Sequence, residues 1–190
     1  MSASHYSQSL SAVLETFEAL RDFEAPIVKI ADVVTACLLG GNKLLFCGNG
    51  GSASDTAHIA AEFTCRFVGD RLPYPAISLA GDGGLLTAIG NDYGFEDVFA
   101  RQVRAYARPG DVLIAATTSG KSRDILAAIE QARLCEIQSV AFLGKDGGFT
   151  KGAADFEIIV PGTVTARIQE AQKFLMHVVC ELVEPHLKKE

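Results

Sequence analysis

The chain has no Cys-x-x-Cys pair, no excess of basic residues, no apolar run of membrane-spanning length and no low-complexity tract, and each absence removes a class of protein. Its five cysteines, Cys37, Cys47, Cys65, Cys135 and Cys180, are odd in number and far apart. That spacing argues against a thiolate zinc site or a dithiol redox pair and predicts that most of them pack in the core. The formal net charge of -6 lacks the basic footprint of a nucleic-acid-binding surface. An anionic ligand must therefore be held by local donors. No stretch approaches the ~18 apolar residues of a membrane span, and the opening MSASHYSQSL has neither the basic nor the apolar region of a secretory signal. A cytoplasmic protein without nucleic-acid or membrane partners is expected.

What is present is ordinary globular composition, 48% hydrophobic and 21% charged over 190 residues. That length fits one domain, residues 1–190, since domains centre on ~100 to 150 residues. Apolar residues at three and four spacing predict helices over Tyr6–Leu20 (Val13, Phe17, Leu20) and Ala25–Leu39 (Ile27, Ile30, Val34, Leu38), the second stopped by Gly40 and Gly41. Short apolar runs then alternate with helix-length segments: Lys43–Cys47, Ala76–Ala80, Val112–Thr117, Ser139–Gly144 and Phe156–Val160. Continuous apolar strands belong to parallel sheets covered on both faces, so the pattern predicts an α/β doubly wound five-stranded sheet behind an N-terminal helical hairpin. A long C-terminal helix, Thr165–Leu187, carries a broad stripe at Ile168, Ala171, Leu175, Val178, Val179, Leu182 and Val183. The front helices (residues 1–41) and this last one offer more apolar surface than such a sheet needs, which predicts an oligomer interface.

Three loops could hold a phosphate. The stretch GNGGSASDTAHIAAEF, Gly48–Phe63, contains Gly48, Gly50 and Ala53 in the G-x-G-x-x-A pattern of dinucleotide folds. That reading needs an acidic residue at the end of the next strand, about 20 residues on; Asp70 lies in a turn before the strand and Asp82 comes too late. No nucleotide cofactor is expected. SGKS, Ser119–Ser122, would end a Walker A loop, but that pattern requires glycine where Ala115 stands inside a strand. What remains at that strand terminus is a set of hydroxyls on Thr117, Thr118, Ser119 and Ser122 beside a helix N-terminus, suited to a phosphate monoester, although Ser122 is equally readable as a helix cap. In the first loop, Ser52 with Asp55 three residues on reads as an N-cap of the next helix.

His58 and Glu62 stand four apart and so share one helical face. Such pairs are usually surface ion pairs; this one starts from a strand's carboxyl end, where ligands collect in open α/β sheets. Glu62 lies ~15 Å along the helix from the glycine turn, so a neighbouring chain is expected to help close a site. His177, between Met176 and Val178, reads more simply as a packed core histidine. Gln169 precedes it by eight residues, ~12 Å of helix, so the two would reach one small centre only across a subunit boundary.

Taken together, GNGGSASDTAHIAAEF, TAIGNDYGFEDVF, GDVLIAATTSGKS, GKDGG and TARIQEAQKFLMHVVCELVE, in this order over nearly the whole chain, resemble the phosphoheptose isomerases of the sugar-isomerase (SIS) domain superfamily. The resemblance implies a cytoplasmic homotetramer with active sites between subunits that converts sedoheptulose 7-phosphate into D-glycero-D-manno-heptose 7-phosphate, the first step toward activated heptoses of lipopolysaccharide and related glycans. It implies Glu62 and His177 as catalytic residues, and Asn49, Gly50, Gly51, Ser52, Asn91, Asp92, Thr117, Thr118, Ser119, Ser122 and Gln169 as substrate-binding. Some members bind zinc, and the matching ligands are His58, Glu62, Gln169 and His177, one ion per subunit. Thr117 and Lys121 stand where the family's S-T-S-G-N-S loop has Ser and Asn, and Ala166 where some members have an acidic residue. Two rivals share the fold: a non-catalytic regulator that binds a replication initiator, whose relatives lack the acid and base, and an isomerase of another sugar phosphate.

Overall fold

The computed structural model describes residues 3–188. Two helices, α1 (Ala3–Glu18) and α2 (Glu24–Leu39), precede β1 (Leu44–Gly48), α3 (Gly51–Thr64), β2 (Ala76–Ser78), α4 (Gly83–Asp92) and α5 (Ala100–Tyr106). Then follow β3 (Val112–Thr117), α6 (Arg123–Leu134), β4 (Gln138–Gly144), β5 (Phe156–Val160) and α7 (Thr165–Val183). The five strands pair in parallel in the order β2-β1-β3-β4-β5. This is the doubly wound sheet expected from the apolar runs, and its order reverses between β1 and β3, where ligand crevices form in such sheets.

The strands are apolar on both faces because helices cover both. Leu44, Phe46, Val112, Ile114 and Ala116 join Ile30, Val34, Ile59, Phe63, Leu175 and Val179 in one core, under α2, α3 and α7. Their strand neighbours Leu45, Cys47, Leu113 and Ala115 join Val103, Ile125 and Ile129 in the other, under α5 and α6. Each fully buried Leu, Ile or Phe contributes about 1.5–3 kcal/mol of hydrophobic free energy, so the two-sided cover is the main source of stability. The cysteines divide as expected: Cys37, Cys47 and Cys180 are buried, Cys135 is half-buried and Cys65 is exposed. Burial pushes the Cys37 and Cys180 thiols up to about 12 and raises Cys47 as well, which leaves them inert packing groups.

Of the boundaries that differ from the sequence reading, three have a plain local cause. β2 stops at Ser78, where a turn closes through the Gly81 N–H and the Ser78 carbonyl, instead of running to Ala80. α7 ends at Val183 and not Leu187, because Pro185 falls in the next turn with no N–H to continue the ladder. The cap of α3 is Gly50, at φ 54°, which puts Ser52 inside the first turn and buried, not in the capping position.

α1 lies on α7 through Phe17 and Phe174, ring centroids 5.2 Å apart. It leaves Tyr6, Leu10 and Leu14 exposed by 73%, 47% and 63%, an apolar ridge without cover in the single chain. Among the described residues no helix is long and apolar enough to cross a membrane.

At the far side of the crevice, the β3–α6 loop is clamped onto the loop after β4. The Gly120 carbonyl accepts from the Thr150 N–H (3.1 Å) and its hydroxyl (2.9 Å). A Cβ at Gly144 would press into the Thr118 carbonyl oxygen and the Ile168 side chain, so the fourth strand passes there only as glycine. Gly144→Ala is therefore expected to destabilise the fold by about 1–3 kcal/mol through overpacking and to shift the Thr118 backbone. Urea unfolding and the backbone amide spectrum of residues 117–122 check both.

Candidate active site

Two helices and two strand-end loops carry every group of interest. α3 leaves the carboxyl end of β1 and α7 packs along it, both running in the same direction, so residues pair in rungs. Gln169 lies on Gly51, where a Cβ would come within 2.5 Å of its amide nitrogen. That same nitrogen donates to Asp55 Oδ2 at 2.6 Å, and Lys173 Nζ stands 3.2 Å from Asp55 Oδ1. Farther along, His58 Nε2 is 3.2 Å from His177 Nε2 and 3.0 Å from Glu62 Oε1.

The ligand-capable atoms of His58, Glu62 and His177 all lie within 4.8 Å of one another. Two imidazole nitrogens and a carboxylate oxygen this close can share a proton or a cation. His177 is half-buried and far from a packed core histidine; the 58 and 177 rings meet edge-on, and Phe67 stacks on His177 at 5.9 Å. Partial burial, then the neighbouring His58, hold the His177 pKa below its ordinary value, with Glu62 opposing. A neutral ring at neutral pH is the form that ligates a metal or accepts a proton.

The end of α3 is locked by long-range contacts. Arg71, buried, donates to the Glu62 and Phe63 carbonyls, the latter at 2.9 Å, and so satisfies the last turn of the helix that carries Glu62. Glu184, just beyond α7, accepts from the backbone N–H groups of Phe67, Val68 and Gly69. Segment 65–71 is thereby folded back so that Phe67 covers His177.

At the switch point the hydroxyl loop is organised internally. Thr117 Oγ1 lies 3.0 Å from Ser122 Oγ and 3.4 Å from Ser119 Oγ, and the Lys121 N–H donates to Ser119 Oγ. Ser122 occupies the N-cap position of α6, but its hydroxyl turns to Thr117 and makes no cap bond. Across the crevice, Asn49 donates to Asp124 Oδ2 at 2.7 Å. Asp124 is buried, and desolvation raises its carboxyl above the ordinary range although Asn49 opposes this.

Of the residues singled out by sequence, the structure brings His58, Glu62 and His177 into one cluster within a single chain. It also brings Asn49, Thr117, Ser119 and Ser122 to the crevice between β1 and β3, with Ser52 buried in the first turn of α3. Gln169 bonds Asp55, separate from His177 as the helical rise required. Asn91 and Asp92 are exposed at the end of α4 and bond each other at 2.9 Å. Sequence reading missed Asp124, whose place in a first helical turn looks like routine dipole compensation, and the Arg71–Glu184 pair, which no local pattern connects. It read Asp55 only as a capping partner.

Known proteins share this sequence pattern and fold. A family model described as SIS domain matches residues 5–144. The phosphoheptose isomerase of Akkermansia muciniphila is 45% identical over 172 residues, 90% of this chain and 91% of that protein. The solved phosphoheptose isomerase of Neisseria gonorrhoeae is 40% identical, covers 96% of each chain and superposes with a TM-score of 0.84. That of Francisella tularensis is 37% identical over 96% and 95% of the two chains, with a TM-score of 0.87.

In a histidine-resolved NMR titration, His177 is expected to protonate below the free-histidine midpoint. His58→Gln should raise that midpoint without restoring it fully, because burial, the larger cause, stays in place. An unchanged midpoint in the variant contradicts the 3.2 Å contact.

Proposed function

The chain belongs to the SIS-domain family, among its phosphoheptose isomerases, and on that premise we propose that it converts sedoheptulose 7-phosphate into D-glycero-D-manno-heptose 7-phosphate. It is an isomerase; the non-catalytic reading gives way to that membership. The observation that carries the assignment is the convergence of Glu62 and His177, with His58, on the seam that leads from the phosphate-suited loops.

An aldose–ketose interconversion moves one proton between C1 and C2 and exchanges the hydroxyl proton between O1 and O2. Glu62 takes the proton from C1 and returns it to C2. His177 assists ring opening and passes a proton among the oxygens; its lowered pKa makes the ring a readier donor once it has taken up a proton. Ser52, Thr118, Ser119 and Ser122 hold the phosphate, with backbone N–H groups at the starts of α3 and α6 adding donors. Asn49, Gly50, Gly51, Asn91, Asp92, Thr117 and Gln169 complete the substrate contacts. Fixing the phosphate places the reacting end of the sugar against Glu62, which is where orientation contributes to rate.

The donor set also fits zinc. Tetrahedral zinc with nitrogen and oxygen ligands at about 2.0–2.2 Å spaces those ligands roughly 3.3–3.5 Å apart, close to the 3.2 and 3.0 Å found here. His58, Glu62 and His177 would hold the ion, one per subunit, and Gln169, about 12 Å earlier on α7, would complete the set only from across a subunit boundary. A bound zinc would supply a Lewis acid at the sugar carbonyl. The uncovered ridge Tyr6, Leu10 and Leu14, with Phe174 beside it, supports a homotetramer with sites between subunits, formed through the N-terminal helices of a single domain spanning 1–190. Such an enzyme would work in the cytoplasm at the start of activated-heptose synthesis for lipopolysaccharide or related glycans, without a nucleotide cofactor.

Glu62→Gln and His177→Gln should each lower turnover of sedoheptulose 7-phosphate by about 10²–10⁴-fold, the usual size of general acid–base catalysis. Parent-like rates in folded variants would refute the assignment, and faster turnover of a pentose or hexose phosphate in the same assay would move the substrate. Elemental analysis should find about one zinc per chain, lost in His58→Gln. No zinc, with activity intact in chelator, removes the metal and leaves the acid–base pair standing.

A further inference from the structure

We propose that Asp55, held by Lys173, is a positioning residue that fixes which end of the Gln169 carboxamide faces the site; this rests on the function proposed above. An amide side chain has a donor end and an acceptor end of nearly equal shape, and its two orientations present opposite chemistry to a ligand. Here the choice is made by a carboxylate. Asp55 is buried and, when ionised, accepts only, so the group facing Oδ2 at 2.6 Å must be the Gln169 nitrogen. The Gln169 carbonyl oxygen is then the end left for a ligand. It lies against Gly51, and the Gln169 residue lines a cleft of about 300 Å³ together with Asp55, Ala166, Glu170 and Lys173. That oxygen accepts from an electropositive partner, either a sugar hydroxyl or a cation.

Lys173 makes the device directional. Its ammonium has donors only and sits on the other oxygen, Oδ1, at 3.2 Å. In Asp55→Asn, one end of the introduced amide would have to face Lys173, and the ammonium selects the oxygen. The introduced nitrogen would then point at Gln169 and force its carboxamide over, so that a donor replaces an acceptor in the cleft. The change is nearly isosteric, which separates orientation from packing. Removing the ammonium as well frees the introduced amide to turn its oxygen back to the Gln169 nitrogen.

Four variants decide the matter: Gln169→Ala, Asp55→Asn, Lys173→Met and Asp55→Asn/Lys173→Met. Each is assayed for kcat and KM, and, on a Glu62→Gln background, for calorimetric affinity toward sedoheptulose 7-phosphate. Outer-shell partners of this kind typically govern 10–100-fold in activity or affinity. Asp55→Asn is expected to lose at least 10-fold in kcat/KM and in affinity, with an unchanged urea midpoint. Lys173→Met alone should lose only a few-fold, and the double variant should recover most of what Asp55→Asn lost. The side-chain amide signals of Gln169, identified by their absence in Gln169→Ala, should move in Asp55→Asn and return in the double variant. Parent-like behaviour of Asp55→Asn overturns the proposal, as does a loss that removing Lys173 fails to restore. An inactive Gln169→Ala beside an active Asp55→Asn sinks the proposal while the function stands; a fully active Gln169→Ala means that Gln169 has no part in the reaction.

Discussion

The same-direction packing of α3 against α7 is the constraint on which the site depends. Because both helices advance by the same rise, their residues meet at matching heights: Gly51 under Gln169, Asp55 between Gln169 and Lys173, and His58 against His177. Beyond the helix ends Arg71 meets Glu184. The buried stripe of α7, Ile168, Ala171, Leu175, Val179 and Val183, sets the rotation that aims Gln169 and His177 at α3. Remove the close approach at Gly51 and the rungs lose their register together. The chemistry of the seam is thus a product of core packing, with the functional side chains lying along the edge of the same interface that stabilises the domain.

The crevice between β1 and β3 depends on a different kind of contact. There the groups are held by short polar links between loops: Asn49 to Asp124, Thr117 to Ser122, Gly120 to Thr150. Asp124 shows why this is costly ground. Burial works against its charge, and the carboxylate is tolerated because the Asn49 amide meets it. A loop organised in this way keeps its hydroxyls fixed before any ligand arrives, which limits the entropy lost on binding.

Much of this was legible in the chain. Strands three and five fall on the residues expected, since apolar runs bounded by glycine and polar turns leave little freedom, and the two-sided burial of Leu44 to Gly48 is what a parallel strand requires. The pairing of His58 with Glu62 followed from helical spacing alone. His177 did not: its partner is 119 residues away, and only the arrangement of helices reveals it. The same holds for Arg71 with Glu184 and for Gln169 with Asp55. The local signal misled at Ser52, where a serine before a helix suggested a cap; Ser122, readable equally as a cap or a ligand donor, does stand at the N-cap of α6. Gly50, able to adopt positive φ, took the place read for Ser52, and Thr117 claimed the hydroxyl of Ser122.

The separation of the two regions has a consequence for how substrates are measured. On the proposed function, the phosphate-suited loops belong to strand ends whereas Glu62 and His177 stand along α3 and α7, so the paired helices would act as a ruler between grip and chemistry. A shift of one turn along α3 changes that span by ~5.4 Å, and the facing position on α7 moves in step because the helices share a direction. On the proposed function, the chain length of the sugar phosphate would be set by where along the seam Glu62 and His177 stand.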